Sequence, residues 1–136
     1  MKRTLSLLLL FITLPVLAQE RIWEGTKCHN RSVTMTAFLP EGEPKAALVV
    51  CPGGSYHWHD MDTEGSKVAQ WLASEGYAAY LLKYRVAGKI EFVVKYRTVL
   101  RGHRHPDMIC DIQRAIELIR ERYDGPVQSR HPCPSS

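Results

Sequence analysis

Three observations predict an α/β fold with a largely parallel sheet. Ala46 to Val50 is a short, continuous apolar run, which suits a central strand buried on both faces. A helical pattern follows it, and a second apolar run, Tyr77 to Leu82, comes next. A longer helical pattern then begins near Pro106. Strands that alternate with helices argue for parallel strands joined by helical crossovers.

In chain order, the first eighteen residues are set aside as an export signal. Lys2 and Arg3 form a positive start, Leu5 to Leu17 an apolar centre, and Val16-Leu17-Ala18 a small-residue cleavage pattern before Gln19. The run is too short and too punctuated to span a membrane. No cysteine follows Ala18, so no lipid anchor is expected, and the mature chain is placed outside the cytoplasm. From Arg31 to Leu39 the residues alternate, with Val33, Met35 and Ala37 on one face and Thr34, Thr36 and Phe38 on the other. That reads as a half-buried strand. Pro40 to Pro44 is turn chemistry. After the Ala46–Val50 strand a helix is expected to start at Asp62 or Thr63, to turn Val68, Trp71 and Leu72 inward, and to end at Gly76. The last helix should begin at Pro106, with Asp107 in its first turn. Met108, Ile112, Ala115, Ile116, Ile119 and Tyr123 form its apolar face. Asp111, Arg114, Glu117, Arg120 and Glu121 form its polar face, and Gly125-Pro126 stops it. Glu91 to Tyr96 suits a short helix or a strand equally.

Composition bounds the function. Without its signal the chain has 118 residues, enough for one small domain. The formal charge of +4 falls to +2 once Lys2 and Arg3 are removed, too weak to imply a nucleic-acid partner. The basic cluster of Lys95, Arg97, Arg101, His103 and Arg104 reads as a solvated loop. Cys28, Cys51, Cys110 and Cys133 allow three disulfide pairings in an oxidising compartment. Cys51 and Cys110 are equally readable as buried thiols, and no spacing matches a zinc site.

Chemistry is concentrated in Val50-Cys51-Pro52-Gly53-Gly54-Ser55-Tyr56. A strand that empties into Pro-Gly-Gly leaves main-chain N–H groups bare of side chains at the carboxyl edge of the sheet, where open α/β folds bind ligands. Two such groups aimed at one point can stabilise the negative oxygen that develops in acyl transfer. Taken alone, a Gly-Gly after a strand is more often an ordinary turn.

The stretch from Trp23 to Arg120 resembles a family of secreted bacterial α/β hydrolases that includes acetyl-xylan esterases and related carbohydrate esterases. The resemblance is carried by Trp23-Glu24-Gly25, Leu39-Pro40-Glu41-Gly42 and the Val50–Tyr56 block. It continues through Glu64-Gly65, Val68 to Leu72, Gly76 to Ala79 and Leu82-Lys83-Tyr84-Arg85. Arg101-Gly102-His103, His105-Pro106, Asp111 and Gln113 to Ile116 complete it. It implies the α/β-hydrolase fold, an acylated carbohydrate or other small ester as substrate, and no cofactor. It also implies that Gly54 and Ser55 supply oxyanion-hole N–H groups, with Gly53 shaping the turn. Ser55 stands where many relatives carry a third glycine, which ordinary backbone angles would tolerate. Ser55 is not read as a nucleophile, because no Gly-x-Ser-x-Gly surrounds it.

The departure from the family comes after Tyr123. Relatives place a strand here and then the nucleophile elbow Gly-x-Ser-x-Gly, with an acid and a histidine later. No Gly-x-Ser-x-Gly occurs in the 136 residues. The expected organisation is therefore a signal at 1–18, part of a hydrolase domain at 19–127, and a disordered or out-of-frame tail at 128–136. Ser129 and His131 are read as part of that tail. A frame shift near Val127 would explain the pattern, and the chain as written is expected to be inactive. Two other readings are kept. His57-Trp58-His59-Asp60-Met61-Asp62, joined by His103 and His105, could hold a metal, although Met61 replaces the aspartate that a His-x-His-x-Asp-His site requires. Alternatively the chain is a non-catalytic module that binds carbohydrate or a protein partner.

Overall fold

The structure is a computed structural model that describes residues 19–28, 30–55, 57–87 and 106–124. Four strands form one sheet: β1 (Gln19–Arg21), β2 (Thr34–Phe38), β3 (Ala47–Val50) and β4 (Ala78–Lys83). A π-helical turn (Met61–Ser66) runs into helix α1 (Lys67–Ser74), and α2 spans Asp107–Asp124. The sheet order is β1-β2-β4-β3.

Alternation along β4 explains the layering. Ala78, Tyr80 and Leu82 join Val33, Met35, Cys110, Ala115 and Ile119 in a core beneath α2. Ala79 and Leu81 point the other way, to Ala69, Phe38 and Val50 beneath α1. The two helices thus pack against the same central strand from opposite faces. Each fully buried side chain of this size contributes on the order of 1.5–3 kcal/mol.

Several sequence expectations need correction. The described sheet is mixed rather than mainly parallel: β1–β2 and β2–β4 are antiparallel, and only β3–β4 is parallel, with Val49 opposite Tyr80. The physical reason is that parallel neighbours require a crossover of a dozen or more residues. Among the described elements, the segment carrying α1 provides that crossover for an adjacent pair. Among the described strands, β3, expected as a central strand buried on both faces, lies at the end of the sheet order with Leu48 37% exposed, while β4 is buried along Ala78–Leu82. In α1 the inward residues are Ala69, Leu72 and Ala73, not Val68 and Trp71; Trp71 is 60% exposed. Close approach to β4 selects the small side chain. The Asp60 carboxylate accepts from the Thr63 N–H at 3.0 Å, so the helical segment starts earlier than Asp62. Gly76 ends α1 at φ +89°, as read.

Helix α2 matches its expected range, but its faces are rotated. Asp111, read as polar-face, is fully buried, whereas Ile116 and Tyr123 are exposed. Cys110 is buried as expected; Cys51 is exposed instead. No helix among the described residues is long and apolar enough to cross a membrane. The export signal, Glu91–Tyr96, the basic cluster at 95–104, His103, His105, Gly125-Pro126, Cys133 and the 128–136 tail lie outside the described residues.

Candidate functional site

At the carboxyl end of β3 the main chain turns through Pro52, Gly53, Gly54 and Ser55. The carbonyls of Pro52, Gly53 and Gly54 are each engaged. Tyr84 Oη donates to Pro52 O at 2.7 Å, Asp60 N to Gly53 O at 3.0 Å, and His57 N and Trp58 N to Gly54 O at 3.0 and 3.2 Å. Gly53 N donates to Glu64 Oε2 at 2.8 Å. The Gly54 and Ser55 N–H groups donate to no acceptor among the described residues. The turn is therefore not an ordinary hairpin, in which these groups would close a ladder. Consecutive uncommitted N–H groups in a turn form a concavity suited to an oxygen carrying negative charge.

Glycine is required here by both torsion and space. Gly54 has φ +141°, and a Cβ on it would come within 2.1 Å of Trp58 O. A Cβ on Gly53 would meet Glu64 Oε2 at 2.3 Å. Ser55 has φ +54°, in the left-handed region, so the condition of ordinary angles under which a serine is tolerated at this position is not met. Such a conformation costs a non-glycine residue about 1 kcal/mol or more.

The turn is held from behind by groups to which the sequence reading gave no role. Tyr84, one residue past β4, is buried and holds Pro52. The His59 ring meets the Tyr84 ring edge-on at 4.5 Å. Burial, helped by nearby Lys83, lowers the His59 pKa, opposed in part by a hydrogen bond to the Tyr84 backbone. Next to Tyr84, Arg85 is locked onto α2. Its backbone N–H donates to Asp111 Oδ2 at 2.8 Å, and its guanidinium reaches Asp111 Oδ1 at 2.9 Å and Asp107 Oδ1 at 3.2 Å. Trp23 Nε1 donates to the same carboxylate at 2.6 Å. Glu64 and the Tyr84–Arg85 pair stood in the sequence only as matching blocks. A contact spanning 32 residues, such as Tyr84 to Pro52, leaves no local signal.

His57 and His59 sit in the loop that leads from the turn to α1. No group of three or more His, Cys, Asp or Glu side chains among the described residues has the arrangement to hold a metal ion. A groove of about 470 Å³ lies elsewhere. It runs along Pro44–Ala47 and Val49 beside Ile116, Ile119 and Tyr123 of α2, and none of Pro52–Ser55 lines it.

The fold of the described residues is similar to that of solved esterases. The structure superposes with a TM-score of 0.59 on an acetyl ester-xyloside bifunctional hydrolase from Caldicellulosiruptor lactoaceticus, at 24% identity, over 79% of this chain and 37% of the other. A propionate-bound esterase of Thermogutta terrifontis gives a TM-score of 0.58 at 17% identity, over 82% and 38%. These likenesses show a shared fold. In sequence, 52 residues, 38% of this chain, are 36% identical to an acetylxylan esterase of Xylanibacter ruminicola and make up 11% of it. The resemblance to acetyl-xylan esterases read from the motifs thus recurs in sequence and in shape. No protein-family model matches the chain. The chain spans a little over a third of the solved relatives and about a tenth of the curated one.

Proposed function

We propose that the Pro52–Ser55 turn is the oxyanion loop of a carboxylic-ester hydrolase of α/β-hydrolase type, with Gly54 and Ser55 N–H as the donors and Gly53 shaping the loop. The observation that carries this reading is the sorting of the turn: the carbonyls of Pro52, Gly53 and Gly54 are engaged with the protein while the consecutive N–H groups of Gly54 and Ser55 are left over. In acyl transfer a serine attacks the ester carbonyl, a histidine carries its proton to the leaving alcohol, and two main-chain donors hold the tetrahedral oxygen. The likeness to acetylxylan and acetyl ester-xyloside hydrolases points to acetyl groups on plant-type polysaccharide as the substrate class. The Lys2–Ala18 pattern supports an exported protein.

No Gly-x-Ser-x-Gly nucleophile elbow occurs in the sequence. The chain by itself should therefore show no turnover of a chromogenic acetyl ester above buffer. Joined to a segment that supplies the nucleophile elbow, acid and histidine of an esterase, the chain should hydrolyse the ester, and Gly54→Ala should lower its turnover by about a hundredfold or more. A joined protein inert toward esters would overturn the reading. So would inhibitor-sensitive turnover by the 136 residues alone.

A further inference from the structure

We infer that Glu64 and Tyr84 are positioning residues for the Pro52–Ser55 turn, acting from outside it to keep the Gly54 and Ser55 N–H groups available. The inference rests on the ester-hydrolase reading only for what those groups bind; the positioning itself is read from geometry.

A four-residue turn rich in glycine has many competing conformations, and in most of them an N–H would fold back onto a nearby carbonyl. Three acceptors in this turn are within reach of such a collapse: Pro52 O, Gly53 O and Gly54 O. Each already has a donor. Asp60 N, His57 N and Trp58 N come from the residues that follow, so they close the loop on itself. The remaining two bonds come from other elements. Tyr84 Oη reaches Pro52 O from beyond β4 at 2.7 Å, and the Glu64 carboxylate reaches Gly53 N from the π-helical turn at 2.8 Å. These two fix opposite sides of one segment: Tyr84 takes the carbonyl of Pro52, and Glu64 takes the N–H of the same peptide unit. The plane of the Pro52–Gly53 peptide is thereby set, and the next two N–H groups inherit their direction from it.

The arrangement also explains the space around Gly53. The carboxylate oxygen occupies the position a Cβ would need, at 2.3 Å, so the strut and the missing side chain are one device. Tyr84 is in turn held by its neighbour Arg85, whose backbone N–H and guanidinium are bound by the buried Asp111. Glu64, by contrast, is exposed and belongs to no core cluster. Its removal tests the loop without dismantling the fold.

The experiment uses the full chain labelled with nitrogen-15 and compares wild type with Glu64→Ala, Glu64→Gln and Tyr84→Phe. In Glu64→Ala the Gly53 amide should exchange with solvent roughly tenfold faster, as loss of a charge-assisted hydrogen bond implies. The Gly54 and Ser55 amide signals should move while the melting temperature stays nearly constant. Glu64→Gln keeps a carbonyl acceptor and should restore most of both. Tyr84→Phe keeps the ring against His59, removes the donor to Pro52 O, and should shift the same two amides. Should Tyr84→Phe fail to fold, the Glu64 pair still decides. Unchanged Gly53 exchange and unmoved Gly54 and Ser55 signals in Glu64→Ala would overturn the inference. Failure of the ester-hydrolase reading would look different: the variants would still move these amides, but no ester or carboxylate would bind to them.

Discussion

Ser55 shows how much one torsion angle decides. With φ at +54° and its side chain exposed, it carries the strain of a left-handed residue without compensating packing. Ser55→Gly should stabilise the chain by about 0.5–1 kcal/mol, measured as a shift of the urea midpoint at constant slope. A loss of stability would show that the hydroxyl has a role. The sequence reading singled out Gly53, Gly54 and Ser55 because glycine after a strand leaves a local trace. It gave no role to Glu64 or Tyr84, because a carboxylate one turn into a helix and a tyrosine after a strand look like any others. His59 supplies the pH dependence. Its folded pKa lies below the ordinary value near 6.5, chiefly through burial, so the neutral ring is favoured in the fold. The associated stability is present above about 6.5 and is lost as pH falls toward the lower folded value. Melting temperature should therefore drop from pH 7.5 to 5.5 in wild type and drop less in His59→Phe. Equal drops would remove His59 from the account.

At the level of elements, both helices were legible in extent and partly misread in orientation. In α1 the large apolar Trp71 suggested an inward stripe, yet the contact with β4 is made by Ala69, because a helix seated close to a strand needs a small residue there. In α2 the error was Asp111. A helical pattern assigns a carboxylate to solvent, and only three-dimensional proximity to Arg85 and Trp23 reverses that. Such a buried pair is costly to break from one side. Asp111→Ala should destabilise by about 3–5 kcal/mol by leaving the Arg85 guanidinium short of its buried partner. The Asp111→Leu, Arg85→Met double variant should be less destabilised than Asp111→Ala, read from chemical unfolding. A double variant as unstable as the sum of its single changes would mean that the two residues are not coupled.

Across the whole molecule, the α/β class was legible from the order of apolar runs, but the strand order was not. Hydrophobic periodicity reports how a strand is buried, not which strand lies beside it, so it does not reveal that β4 separates β2 from β3 among the described strands. What the described residues share with the solved esterases is the fold. The account depends on two N–H groups in that turn being open to a ligand oxygen. The most direct measurement is an acetate titration of the nitrogen-15-labelled chain followed amide by amide. The Gly54 and Ser55 amides should shift together with a single dissociation constant, while Gly53, held by Glu64, stays nearly still. Gly54 and Ser55 amides that ignore acetate and are protected from exchange, as in a closed hairpin, would contradict it.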